Sequence, residues 1–541
     1  MVSSEALEPC PGARSRAVTR ARTVRLAGVA VALGLTVTAT GCGGSAGVST
    51  GANEVVIAIA SDPGSLSPTT ALADTAISMN EFAYDTLIHV AANGSLVSGV
   101  AESWSSTPTS ARFTIRPGVS CQDGSALTAA DVAAEYNYIA NPRNQSPLLG
   151  LAVPPTASAE ADLATRTVTV TTTRTAPFIV QMTRLLPLLC RGSLATPTAL
   201  ARATDATGPS ELTSAIPGDS YTYVKRSGYT WGPGGTTDAA LPGTVVFKVV
   251  ANESTTANLL LDGQINAAEV NGADHQRLDA ARVKDAGISV LFGQFIFNEG
   301  PGHATADQAV RRALLSSVDL QQIGAVATGG SGTPATNLGE TAPTPCGGDS
   351  VAGSLPSRST AQAAAELTAA GWARSGGVWA KDGRPLAVSL AYPTSSGPQV
   401  DAAVELTVQQ WTAFGAKVTT RATDEADIVS TLVGGDWDVA WLPIGVTLPD
   451  QLTQFFDGPP PPLGNNFGDV RNPAYHLLAT QASQRPGTAG CPLWDAADAS
   501  LVKRDDVAPF VDNPVRYYEK GVSFQIDGAG IIPSTLRLSE G

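Results

Sequence analysis

The chain has 541 residues, beyond the length that one hydrophobic core usually serves, so at least two packing units are expected. Apolar residues make up 43% and charged residues 15%, enough to fill real cores, which excludes global disorder. A formal net charge of −14 repels phosphate backbones and anionic headgroups, which excludes nucleic acid as a partner and leaves membrane attachment to a tail.

Five arginines (Arg14, Arg16, Arg20, Arg22, Arg25) precede an apolar stretch from Leu26 to about Thr40, followed by Gly41, Cys42 and a Gly/Ser-rich run to about Ala52. A positive segment, an apolar run short for a bilayer and small residues are the layout of a secretory signal, assigned to residues 1–41. Ala39-Thr40-Gly41-Cys42 resembles a bacterial lipobox, which makes Cys42 the expected lipidation site and residues 42–53 a flexible tether. The chain is then expected to be exported and held at the outer face of the cell membrane. Four cysteines remain: Cys121, Cys190, Cys346 and Cys491. An even number in an oxidising compartment predicts two disulfides with three possible connectivities. Sequence neighbourhood favours Cys121 with Cys190 and Cys346 with Cys491, and no CxxC spacing points to redox work or zinc.

Val55 to Ala60 reads as a buried strand before the Asp62-Pro63-Gly64 turn. Ala111 to Arg116 alternates as a strand, Thr128 caps a helix to about Ala140, and Arg166 to Thr173 is a β-branched strand. Residues 206–243, rich in Gly, Pro, Thr and Ser, read as an irregular connection. Thr244 to Val250 restores a strand and leads into a helix around Thr255 to Leu261, with Gly263 just past its end. Ile288 to Asn298 is the longest strand candidate, with a bend expected near Gly293. A helix over about Ala306 to Ser316 places Val310, Ala313 and Leu314 inward and Arg311 and Arg312 outward. After a helix from Ser359 or Thr360 to Gly371, strands at Leu386–Tyr392, Ala416–Ala422 and Asp438–Pro443 alternate with a helix near Val400 to Phe414. This alternation predicts a mixed α/β lobe with helices packed on a sheet.

Several segments, in order, carry a resemblance: Ala101-Glu102-Ser103-Trp104 with Phe113 to Val132 (FTIRPGVSCQDGSALTAADV), Val246 to Val270, Val310 to Ile323, Ala363 to Trp372, Asp436-Trp437-Asp438 and Asn465 to Pro473. They resemble the family 5 extracellular solute-binding proteins, the oligopeptide, dipeptide and nickel class served by ABC transporters. The resemblance implies an α/β, two-lobed, periplasmic-binding-protein-like clamshell of type II with an extra subdomain in the N-terminal lobe. It further implies an N-terminal lobe over 54–290 with the extra subdomain at about 88–204, a C-terminal lobe over 291–505, and a return segment over 506–541. The hinge would lie near Gly293 to Asn298 and Val511 to Val522, with ligand between the lobes.

No nucleophile elbow, GxxxxGK run or HExxH is present, and the four histidines, His89, His275, His303 and His476, are too scattered for a metal claim. No catalytic residue, metal or cofactor is expected, and Asp505-Asp506 reads as solvated. Tyr229 and Trp231 resemble a structural turn of the family. The resemblance places Trp441, Pro443, Gly445, Asn465, Asn466 and Phe295 at the ligand. Gly445 falls where peptide-binding relatives carry an aspartate for the peptide's ammonium, and the next acid is Asp450. The expectation is a monomeric binding protein working with ABC permease subunits on a peptide or an amphipathic small molecule. The alternative is a lipoprotein of the same fold acting in the metabolism of envelope glycolipids such as mannosylated phosphatidylinositol.

Overall fold

The structure, a computed structural model, describes residues 53–71, 73–91, 94–394, 397–423, 425–528 and 530–539. The predicted signal segment, Cys42 and nearly all of the tether lie outside the described residues.

Strand β1 (Glu54–Ile59) buries Val55 to Ala58, as its unbroken apolar run requires. The Asp62 carboxylate then accepts the Gly64 N–H at 2.8 Å and turns the chain toward α1 (Asp74–Ala83). Strands β2 (Ala101–Thr107) and β3 (Ser110–Ile115), helix α2 (Ala129–Ala140), and strands β4 (Ala157–Asp162) and β5 (Thr167–Thr172) build a separate antiparallel sheet, order β2-β3-β5-β4. Thr128 and Asp131 close a capping box on α2, the carboxylate accepting the Thr128 N–H at 2.9 Å. This subdomain has its own core, including Phe113, Val132, Tyr136 and Val168, and the Cys121–Cys190 disulfide.

Residues 206–243, expected to be irregular, contain a hairpin of β6 (Ser210–Ile216) and β7 (Ser220–Lys225). The polar, Gly- and Thr-rich composition hid it. Tyr221 and Tyr223, two apart and both buried, are its period-two signal.

Strand β8 (Thr244–Val249), helix α3 (Glu253–Leu261) and strand β9 (Ala267–Glu269) follow. The Asn252 side chain caps α3 by accepting the Thr255 N–H at 2.9 Å. The long β10 (Lys284–Phe297) leads to α4 (Gln308–Ser317), β11 (Ala387–Pro393), α5 (Pro398–Phe414), β12 (Lys417–Thr423), β13 (Val439–Trp441), α6 (Pro473–Ser483) and α7 (Cys491–Lys503). A second long strand, β14 (Val507–Glu519), returns the chain.

The main sheet runs β12-β11-β13-β10-β14-β9-β1-β8-β7-β6. Strands β9, β1 and β8 are parallel, as are β12, β11 and β13, while β10 and β14 pair antiparallel across the middle. The sheet is thus two halves joined through two crossing strands. Each half has separate cores, with Val55, Phe82, Tyr223 and Phe247 in the first and Leu314, Val388, Trp411 and Trp441 in the second.

In the crossing stretch, β10 and β14 pair from Lys284–Glu519 to Ile296–Val507, with register shifts on either side of Gly293. A Cβ on Gly293 would lie 2.4 Å from the Phe510 ring and 2.5 Å from Val511, so close approach of the two strands requires glycine here. Phe295 already pairs with Trp441 of the second half, and Tyr517 with Glu269 of the first. The crossing therefore centres a few residues upstream of the expected hinge. The strand starts at Lys284 rather than Ile288 because Lys284, Asp285, Ala286 and Gly287, which carry no apolar alternation, pair with β14 as well as the apolar residues do.

Two expectations about charge are corrected. Arg311 does not point outward: it is fully buried in α4 and donates to Asp506 at 2.9 Å and to the Asp505 carbonyl at 2.9 Å, with Glu299 at 3.3 Å. Asp505 and Asp506 are likewise fully buried, not solvated, and Asp505 pairs with Arg312 at 3.0 Å. The stripe of α4 is wider than its apolar residues suggested because it includes a guanidinium matched by carboxylates and carbonyls. The network fixes the start of β14 against α4.

Candidate functional site

The carboxyl ends of the parallel strands β1, β8 and β9 border a common space with residues of the crossing strands, at the end of the sheet where open α/β folds leave a crevice. A cavity of about 430 Å³ sits there. Its walls come from Ile59 at the end of β1 and Ala60 after it, Val250 and Ala251 after β8, Ile288 and Val515 of the crossing strands, and Gly528, Gly530 and Ile531 of the return segment. Helix α1 lines it with Asp74, Thr75 and Ser78, and α3 with its first residue, Glu253. A second cavity of about 480 Å³ lies beyond Asp527, which borders both, and is lined by Glu81, Tyr84, Arg184 and Arg537 among others. Burial and the nearby Asp527 push the Glu81 carboxyl well up from its ordinary value, while Arg184 opposes them.

The second half of the molecule approaches from the loop after β13. Val446 N–H donates to the Gly339 carbonyl at 2.9 Å and Thr341 N–H to the Val446 carbonyl at 2.8 Å, so residues 338–341 brace residues 443–446. A Cβ on Gly528 would lie 3.5 Å from the Thr341 methyl and 3.9 Å from the Arg184 guanidinium. Return segment, second half and extra subdomain thus meet beside the cavities. The Cys346–Cys491 disulfide, Cα atoms 5.2 Å apart, anchors the bracing segment to the start of α7.

The residues singled out from the sequence do not fall together. Trp441 is buried, edge-on to Phe295 and Phe510 at 5.6 and 5.2 Å, with its indole N–H donating to the Phe292 carbonyl at 3.1 Å. Phe295 is fully buried in the same aromatic group, and neither residue lines the two cavities. Asn466 is buried and spends its amide on Gly458, on the Val470 carbonyl and on the Val470 N–H, which holds its own loop together. Asn465 is exposed and donates to Gln454 at 3.2 Å. Pro443 is half-buried and Gly445 exposed, with open space where a side chain would stand. Burial pushes Asp450 up to about 7, and one of its carboxylate oxygens is buried without a partner, so it does not stand in at Gly445. Tyr229 and Trp231 are buried, stacked edge to face at 5.0 Å, with Tyr229 donating to Asp85 at 2.8 Å.

Sequence reasoning missed the first-half lining: Asp74, Ser78, Glu253, Glu269, Tyr517 and Asp527. One signal was available, since polar residues directly after a buried parallel strand or opening its following helix are placed at the crevice by topology alone. No group of His, Cys, Asp and Glu among the described residues has the arrangement of a metal site.

This fold and this cleft define a type II, two-lobed binding protein. The structure is similar to a substrate-binding protein from Microbacterium hydrocarbonoxydans complexed with 4-hydroxybenzoate hydrazide, with 23% identity, a TM-score of 0.67 and coverage of 90% of this chain and all of that one. It is also similar to the oligopeptide-binding protein AppA from Bacillus subtilis in complex with a nonapeptide, at 17% identity and a TM-score of 0.67, covering 90% and 99% of the two chains. Residues 95–457, more than half of the chain, match the model of the bacterial extracellular solute-binding proteins, family 5 (middle region), and the protein belongs to that family. The oligopeptide-binding protein OppA of Mycobacterium tuberculosis is 29% identical over 259 residues. That match spans 45% of this chain and 42% of OppA, less than half the length of this curated relative.

Proposed function

We propose that this protein is the exported solute-binding component of an ABC importer and captures a peptide or peptide-sized solute between its two lobes. The cavity at the strand ends of the first lobe, with Thr341 of the second lobe beside its Gly528 wall, is the observation that carries this reading. The lobes are taken as residues 54–290 with 506–541, and 291–505. Pro443 and Gly445 face the solute from the second lobe, with Trp441, Phe295, Asn465 and Asn466 holding the frame behind them. Family membership and the resemblance of part of the chain to OppA support importer work and peptides. Lipidation at Cys42 would hold the protein, as a monomer, beside its permease. No helix among the described residues is long and apolar enough to cross a membrane, which fits attachment by such a tail.

Native mass spectrometry of protein purified gently from its own envelope, followed by denaturing release, tests the reading. A ladder of mixed peptides supports import. A single glycolipid contradicts it in favour of envelope metabolism, and a chain free of any solute contradicts a capture role.

A further inference from the structure

We infer that the buried carboxyl pair Glu340–Asp498 positions the solute-facing loop 443–446 and makes solute binding weaken as pH rises. The inference rests on the binding reading above and adds how that site responds to protons.

Glu340 lies within the bracing segment. It pairs with Val446 in an isolated bridge, between Gly339, whose carbonyl accepts the Val446 N–H, and Thr341, whose N–H donates to the Val446 carbonyl. The fully buried Gln294 of β10 ties segment and loop together, donating to the Leu338 carbonyl at 3.5 Å and accepting the Ile444 N–H at 3.1 Å. Behind the segment the Glu340 side chain meets Asp498 of α7, and the two carboxyls share a hydrogen bond. Both residues are buried, at 7% and 1% exposure, and Glu340 Oε2 and Asp498 Oδ1 have no partner. Two carboxyls can bond to each other only if one keeps its proton. With that proton the pair is a strut from α7 to the loop. Without it, two like charges face each other where little water can screen them.

The surroundings supply no countercharge for a second carboxylate. Burial pushes both groups up, their mutual contact pushes Asp498 further up, and Asp495 on α7 adds to both. Tyr475 of α6 and Asp450 are buried in the same field, and the neighbouring His476 is taken by Asp457 at 2.9 Å. The closed loop therefore holds one proton more than a loop that has opened and exposed both carboxyls to water. Its extra stability is complete below the ordinary carboxylate range, falls as pH rises, and is lost above the raised value of the pair.

Amide hydrogen exchange at Thr341 and Val446 tests this without any solute, and equilibrium dialysis against a pool of tripeptides tests the effect on binding. From about pH 5.5 to pH 8, after correction for intrinsic exchange, protection at both amides is expected to fall by about tenfold per pH unit, the signature of one proton released on opening. Affinity for the pool is expected to fall over the same range. Asp498→Asn and Glu340→Gln each put a permanent donor in the pair, so both are expected to keep protection and affinity at pH 8. Asp498→Ala lacks the bond at every pH and is expected to start low and stay level, whereas Asp450→Asn declines like the parent. A parent profile with no decline, a decline that Asp498→Asn and Glu340→Gln leave as steep, or protection that falls while affinity stays level overturns the inference and leaves the binding reading standing. If no tripeptide binds, the peptide reading falls, and the exchange profiles of parent and variants alone uphold or overturn the role of the pair.

Discussion

Glu135 lies in the middle of α2 with its side chain fully buried. One carboxylate oxygen accepts the Leu189 N–H at 2.9 Å and the other has no partner. Burial pushes this carboxyl up to about 8 against the Leu189 hydrogen bond, which favours ionisation. The folded state therefore holds a proton that the unfolded chain releases near the ordinary glutamate value. Its contribution to stability is complete below about 4.5, declines as pH rises, and is gone once pH passes about 8. The difference in melting temperature between Glu135→Gln and the parent is expected to move in favour of the variant from pH 5 to pH 8.5. Parallel curves across that range contradict the assignment.

At the same scale, residues with local jobs were legible and residues with distant partners were not. Thr128 and Asp131, three apart before an apolar run, announce a cap that the structure contains. Arg311 read as exposed because its partners, Glu299 and Asp506, come from other segments and burial of a guanidinium depends on them. Trp441 was placed at the solute by position in a motif, yet its indole is consumed by Phe295, Phe510 and the Phe292 carbonyl.

Among the elements, the crossing strands decide whether two cores behave as one machine. Gly293 admits the Phe510 ring at a point where any side chain would overlap it, and the register shifts there let β10 and β14 change partners from one half to the other. Gly293→Val is expected to destabilise the fold by about 1–3 kcal/mol through overpacking, with weaker solute binding, measured by denaturant titration and dialysis. Unchanged stability together with unchanged affinity contradicts this view of the crossing. The bend near Gly293 was readable because glycine interrupts an apolar alternation. The hairpin of β6 and β7 was not, because its turn-rich composition outweighed the inward pair Tyr221 and Tyr223.

In the whole molecule, the halves meet a second time away from the crossing strands. Phe178 and Met182 of the extra subdomain are buried in the second-half core, Phe178 facing Trp494 at 6.4 Å, and the Gly487 N–H donates to the Pro177 carbonyl at 2.7 Å. Truncating a buried phenylalanine typically costs about 3–5 kcal/mol, and here that loss falls on the docking of one lobe against the other. The mixed α/β character followed from strand and helix alternation, and the two lobes with the added subdomain from the resemblance to family 5 that the ordered motifs carry. The Phe178 contact did not, since sequence pattern marks a residue as buried without naming the core that receives it.

The central claim is that a peptide or peptide-sized solute is held between the two lobes, and small-angle scattering on Phe178→Ala with and without a pool of tripeptides tests it most directly. The account predicts a larger radius of gyration than the parent when the pool is absent and a return to the parent's value when it is present. A radius that equals the parent's in both conditions, or that ignores the pool, contradicts it.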